Sequence, residues 1–197
     1  MKNNNSSETM SYKVLSLIIF LLLSFNLKGQ SIQTEFISIA EGLSSATVRP
    51  ILQDNYGLIW LGTDNGLHHY DGYKFVRFKN VPGKANSLQN DVIWGLALDA
   101  KQNIWAASDQ GISKYDRKSN EFVNYDLGAQ FNIQGNAGGR VFNILIDSKN
   151  RMWAASGLLE VLRFDTLANS WNSVEYLIGD TSRIKIQSGL VLALAED

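Results

Sequence analysis

Val48-Arg-Pro-Ile-Leu-Gln-Asp54-Asn-Tyr-Gly57-Leu-Ile-Trp60-Leu-Gly-Thr-Asp-Asn-Gly66-Leu-His-His-Tyr70-Asp71 is one statement of a pattern that the chain makes three times. The second runs Ile93-Trp-Gly-Leu-Ala-Leu-Asp99-Ala-Lys-Gln-Asn-Ile-Trp105-Ala-Ala-Ser-Asp-Gln-Gly111-Ile-Ser-Lys-Tyr115-Asp116. The third runs Val141-Phe-Asn-Ile-Leu-Ile-Asp147-Ser-Lys-Asn-Arg-Met-Trp153-Ala-Ala-Ser-Gly157-Leu-Leu-Glu-Val-Leu-Arg-Phe164-Asp165. Asp and Trp stand six residues apart in every copy, and successive Asp residues are 45 and then 48 apart. A fourth copy opens at Gly189 and reaches its Asp at Asp197.

Each copy reads as four short strands. In the first they are Val48–Gln53, Leu58–Gly62, Leu67–Tyr70 and Phe75–Phe78. Asp54-Asn-Tyr-Gly57, Asp64-Asn-Gly66 and Asp71-Gly-Tyr-Lys supply the turns, because Asp bonds the backbone that follows it and Gly or Asn accepts a positive φ. Asn150 fills the left-handed slot of Gly57 in copy three, and Gln102 fills it less well in copy two. No amphipathic helix separates the copies, which excludes a βα solenoid. Four-stranded units at such a period define the blades of a propeller. The fold expected is all-β: a partial β-propeller of four-stranded antiparallel blades, with three complete repeats and the start of a fourth. Trp60, Trp105 and Trp153 share one place on the second strand, where one large ring per blade fills the wedge between neighbouring sheets. A ring of ligand-stacking tryptophans is the alternative.

The bulk numbers agree. Apolar residues make up 45% and charged residues 19% of the 197, a globular balance. Five Trp, nine Phe and seven Tyr beside 16 Gly favour strands joined by tight turns. A net charge of −1 offers no field to attract nucleic acid, which is not expected as a partner. The absence of Cys excludes disulfides, thiolate metal sites and a cysteine nucleophile.

Lys2 and Lys13 precede an apolar run from Val14 to Phe25. Twelve residues suit the core of a signal peptide and fall short of a membrane span. Residues 1–29 are therefore expected to be a signal peptide, cut after Gly29, with an uncleaved anchor as the alternative. Either way the remainder, 30–197, is expected on the periplasmic or extracellular side of the inner membrane. Its blades are expected at about 45–80, 90–126 and 139–175, with a fourth beginning at 188–197.

The motif Asp54-x-x-Gly57-x-Ile59-Trp60-x-Gly62-Thr63-x-x-Gly66-Leu67-x-x-Tyr70-Asp71 resembles the two-component regulator propeller repeat. The lead-in Phe36-Ile-Ser-Ile-Ala-Glu-Gly42-Leu43-Ser44 and the connector Asn86-Ser87-Leu88-Gln-Asn90-Asp91 are similar to that family's usual joins. Copy three departs from it, with one inserted residue and Glu160 near the second turn. The resemblance implies an extracytoplasmic sensor that reads a glycan-derived ligand such as an oligosaccharide. It implies as partners the remaining blades, a downstream transmembrane histidine kinase and, in the parent, a second copy in a homodimer. It also implies that Phe36–Ile39 is an outer strand closing the last blade. No kinase motif lies in this chain, since its two histidines, His68 and His69, fall on a strand.

The first strand of each blade lines the channel of a propeller. The residue after its first position changes from copy to copy, Arg49, Trp94 and Phe142, while its neighbours repeat. A guanidinium holds a carboxylate or sulfate, and an indole stacks on a sugar ring. Arg140, just before the third first strand, joins them as a fourth candidate ligand-binding residue. Ordinary strand-edge packing is the alternative. The recurrent Asp54, Asp99 and Asp147 superficially resemble the Asp-box of sialidase-type propellers, but the spacing to Trp is one residue too long. A glycosidase needs two carboxylates on one bond, whereas these fall one to a blade. No catalytic residue, metal ligand or cofactor is expected. A glycan-processing enzyme and a protein-interaction scaffold remain as alternative functions.

Overall fold

A computed structural model describes residues 13–18, 34, 37–133, 139–158, 160–174 and 194. The chain divides into two units, residues 1–36 and 37–197. In the first, residues 13–18 form helix α1. No helix among the described residues is long and apolar enough to cross a membrane.

Among the described residues the second unit holds three four-stranded antiparallel sheets, each taking its strands in chain order. Blade one is β1 (Val48–Gln53), β2 (Ile59–Thr63), β3 (Gly66–Tyr70) and β4 (Phe75–Phe78). Blade two is β5 (Ile93–Leu98), β6 (Ile104–Ser108), β7 (Gly111–Asp116) and β8 (Glu121–Asp126). Blade three is β9 (Val141–Ile146), β10 (Met152–Ser156), β11 (Glu160–Asp165) and β12 (Ser170–Ser173). β1 packs beside β5 and β5 beside β9, so the first strands form the inner layer from which the sheets fan out. This is the all-β, partial-propeller architecture expected. The second and third strands of blade one each lie within one residue of the expected bounds.

Two hydrophobic cores fill the spaces between blades. Trp60, Leu67, Leu88, Ile93, Ile104, Ala106, Tyr115 and Phe122 form the first, between blades one and two. Trp105, Ile112, Tyr125, Leu127, Val141, Ala154, Leu162 and Trp171 belong to the second, between blades two and three. Blade two offers Tyr115 and Phe122 to the first core and Trp105 and Tyr125 to the second, beside small and aliphatic residues such as Ala106 and Ile112. Facing layers therefore interdigitate. Trp60 and Trp105 are fully covered in this way, whereas Trp153 is only half-buried.

The turns explain the repeat. In each β1–β2-type hairpin one carboxylate oxygen of Asp accepts two backbone N–H groups: Tyr56 and Leu58 on Asp54, Lys101 and Asn103 on Asp99, Lys149 and Arg151 on Asp147. The left-handed slot is taken by Gly57 (φ 85°), Gln102 (φ 66°) and Asn150 (φ 58°), as the alignment requires. The inserted residue of copy three lengthens the β10–β11 loop, since Ser156 pairs with Glu160 where Thr63 pairs with Gly66.

The connector from β4 to β5 clasps blade two from outside. Leu88 is buried in the first core, Phe122 donates its N–H to Asn86 O, and Asn124 donates to the carbonyls of Ala85 and Ser87. The lead-in does the same for blade one, where Ser44 Oγ donates to Asn65 O and Asn65 Nδ2 returns a bond to Ser44 O. Of the expected strand Phe36–Ile39, Ile37 and Ser38 lie outside any strand. Ile39–Glu41 is a single 3-10 turn, fixed by a capping box in which Ser38 accepts from Ala40 N–H and Glu41 accepts from Ser38 N–H. That reciprocal capping is the local reason the segment curls. Phe36 itself, the cleavage site at Gly29 and all of the fourth copy except Leu194 lie outside the described residues.

Candidate functional site

Arg49, Trp94 and Phe142 occupy a special place in their strands. The pairing of β1 with β2 passes from Val48↔Thr63 to Ile51↔Leu61, so one residue, Gly62, faces two. β5 passes from Ile93↔Ser108 to Gly95↔Ala107, and β9 from Val141↔Ser156 to Asn143↔Ala155. Each of the three described inner strands therefore carries a β-bulge at its start, and the variable residue lies in it. A bulge leaves one residue out of the ladder and re-aims its side chain. Pro50 and Gly95, each directly after a variable residue, are the sequence signals of this irregularity.

The bulges bring the four candidate residues together. The Arg49 guanidinium carbon lies 4.4 Å from the centroid of the Trp94 ring. Arg140 lies 5.6 Å from the same ring and 5.9 Å from Phe142. Trp94 and Phe142 meet edge to face at 5.5 Å. Each of the first two variable residues also reaches a carboxylate fifteen residues on, in its own blade's second turn. Arg49 Nη2 donates to Asp64 Oδ2 at 3.4 Å, and Trp94 Nε1 donates to Asp109 Oδ1 at 2.7 Å. Blade three has Gly157 near that place, and Arg140 turns instead to Asp109 of blade two, with Nε 2.7 Å from Oδ1. Serine and backbone fix Arg140, since Ser156 Oγ and Gly157 N–H both donate to its carbonyl.

The result is a rim across three blades: Asp64, Arg49, Trp94, Asp109, Arg140 and Phe142. It is partly open, with the Arg49 side chain 27% and the Arg140 side chain 37% exposed. The Ser45 hydroxyl, followed by the Arg49 charge, holds the Asp64 carboxyl below the usual carboxylate range. Asp64 is thus an anion at neutral pH. The chemistry on offer is charge and hydrogen bonding. The Trp94 face expected to be free for a sugar ring carries a guanidinium.

The recurrent aspartates have a second role that spacing alone did not reveal. The other oxygen of each accepts the indole N–H of the Trp six residues on: Trp60 on Asp54 at 2.6 Å, Trp105 on Asp99 at 3.0 Å, Trp153 on Asp147 at 3.0 Å. Arg117 of blade two adds an ion pair to Asp54. Burial raises the Asp54 carboxyl, but the Trp60 N–H, Arg117 and the Tyr56 N–H outweigh it and hold it below the usual range. Asp147 is likewise brought down to about 2, chiefly by Trp153 and Arg151 against an opposing burial effect. Carboxylates so engaged cap turns and anchor rings. His68 and His69 point to opposite faces of β3, His68 fully buried and His69 against Trp60 at 5.1 Å. Among the described residues no cluster of His, Cys, Asp and Glu could hold a metal ion.

Fold and turn chemistry together define a repeat protein of the β-propeller class. Residues 42–65 match the family model described as two component regulator propeller. It is 38% identical over 77 residues to histidine kinase P4 of Formosa agariphila, a match covering 38% of this chain and 6% of that protein. Among solved structures it resembles the extracellular domain assigned to a one component system of B. thetaiotaomicron, with a TM-score of 0.51 and 20% identity over 68% of this chain and 19% of that one. It resembles equally a catalytically inactive virginiamycin B lyase from Staphylococcus aureus, with a TM-score of 0.51 and 14% identity over 75% of this chain and 45% of the lyase. At these identities the structural likenesses speak to the fold alone.

Proposed function

We propose that this chain is the N-terminal part of an extracytoplasmic sensor propeller in a two-component signalling protein, and that it reads a glycan-derived ligand without transforming it. The observation that carries the reading is the repeat at residues 42–65, shared with the signalling family, together with the rim that the bulges assemble from Arg49, Trp94, Arg140 and Phe142. The partial match to a histidine kinase supports a kinase downstream in the parent. The apolar run Val14–Phe25 supports export. The non-catalytic part of the reading is supported by Asp54, Asp99 and Asp147, whose oxygens are committed to backbone and indole N–H groups rather than to a substrate. A panel of oligosaccharides titrated calorimetrically into the full chain tests the proposal. Saturable heat at one site per chain with an unaltered sugar recovered afterwards is expected. No heat with any sugar, or recovery of a cleaved one, overturns it.

A further inference from the structure

We infer that the Arg49–Trp94–Arg140 rim selects an oxyanionic ligand, one bearing a carboxylate or sulfate, over a neutral one; this rests on the sensor reading and narrows it. Three observations carry the inference. First, the rim's aromatic surface is already engaged. Trp94 has guanidinium carbons at 4.4 and 5.6 Å from its centroid and gives its N–H to Asp109, and its edge-to-face contact with Phe142 occupies it further. A neutral sugar recognised by stacking would have to displace a cation from the ring, losing an interaction worth roughly as much as the one it makes.

Second, the Arg49 guanidinium keeps a donor in reserve, while Arg140 adds a second cation, itself paired with Asp109. Arg49 Nη1 and Arg140 Nε are buried atoms without a hydrogen-bond partner among the described residues. Arg140 Nε lies close to Asp109 Oδ1 as an ion pair, but out of line for a hydrogen bond. Buried N–H groups on a cation are costly to leave unmade. The unpaired Arg49 N–H is a donor that an oxyanion can accept from, and a planar guanidinium fork suits the oxygens of a carboxylate or sulfate. Third, the carboxylate that holds Arg49 among the described residues is loose: Asp64 Oδ2 is 3.4 Å away and its side chain 40% exposed, so an incoming oxyanion can take its place without unfolding anything. Trp94 acts here as a positioning residue, holding the Arg49 guanidinium over its ring face.

The test uses the full chain with three probes: inorganic sulfate, a glucuronate-terminated disaccharide and the same disaccharide with its carboxyl reduced to the alcohol. Expected is saturable binding of the glucuronate sugar that weakens with added salt, with the reduced sugar bound at least roughly tenfold less tightly. Arg49→Gln and Arg140→Gln should each weaken glucuronate binding roughly ten- to a hundredfold. Lys101→Gln, an equal change of charge on the exposed β5–β6 turn, should leave it unchanged. Equal affinity for the acid and its reduced form, or glucuronate binding indifferent to both arginine variants, overturns the oxyanion reading while leaving a glycan sensor standing. Binding of sulfate alone, arginine-dependent but with neither sugar bound, supports the oxyanion site and overturns the glycan reading. Circular dichroism of each variant separates loss of binding from loss of fold.

Discussion

At the scale of single residues, register decides what a side chain becomes. His68, Ser113 and Leu162 are equivalent, paired with Leu61, Ala106 and Ala154 on their second strands. In blade two Ser113 accepts the connector's Gln89 N–H and donates to Asn124, and in blade three Leu162 is core. In blade one the same place holds a fully buried imidazole, whose pKa burial lowers to about 4, with the Arg77 charge adding to the effect. Between that value and the ordinary 6.5, the unfolded chain takes up a proton that the folded chain refuses. Stability therefore falls as pH drops from about 6.5 to about 4 and is unaffected by this group above that window. His68→Leu, borrowing the solution of blade three, should flatten that part of the pH profile. The measurement is the thermal midpoint at pH 7 and pH 4.5 for both proteins, and an undiminished difference between the two pH values in the variant would refute the assignment. His69 is shifted the same way by its own burial and remains in both.

At the scale of the element, the hairpin β5–β6 is closed by more than its ladder. Asp99 collects Lys101 N–H and Asn103 N–H on one oxygen and the Asn103 amide and Trp105 indole on the other. One side chain thus sets the turn and pins the ring that fills the next interface. Trp105→Phe keeps an aromatic ring but removes the indole donor to Asp99, and should cost about 2 kcal/mol in urea unfolding. A cost within about 0.5 kcal/mol of zero would show that the indole bond is incidental. The element scale is also where the sequence was most readable. Strand order, turns and the left-handed slots of Gln102 and Asn150 all followed from the period and from turn chemistry, because these are local properties. The indole bond was missed because a spacing of six gives no hint of a side-chain contact across a hairpin. The bulges were missed too. They depend on partner strands, and their only trace is Pro50 and Gly95. The grouping of Arg49, Trp94, Arg140 and Phe142 was legible as variation against a repeating background. Their mutual stacking was not, since it needs three blades placed side by side. The 3-10 turn at Ile39–Glu41 takes the last residue of the expected strand through a capping box that strand reasoning does not weigh.

At the scale of the whole molecule, the two cores are separate, each shared by one pair of neighbouring blades. Stability in such an array approaches a sum of blade and nearest-neighbour terms. Leu88→Ala empties the first core and Leu162→Ala the second, both residues being fully buried. Each should cost about 3 kcal/mol, and the double variant should match their sum within about 0.5 kcal/mol. Strong coupling in denaturant titrations would mean that strain crosses blade two from one interface to the other. The bulges carry a further consequence for how such proteins diverge. Because Arg49, Trp94 and Phe142 stand out of the ladder, each blade submits one side chain to the rim that its own folding does not require. Exchanging a single codon rewrites that blade's share of the rim and leaves its strand ladder and the two buried cores as they were. Descendants of one scaffold can thereby drift to new chemical signals by separate small steps, with no intermediate that fails to fold.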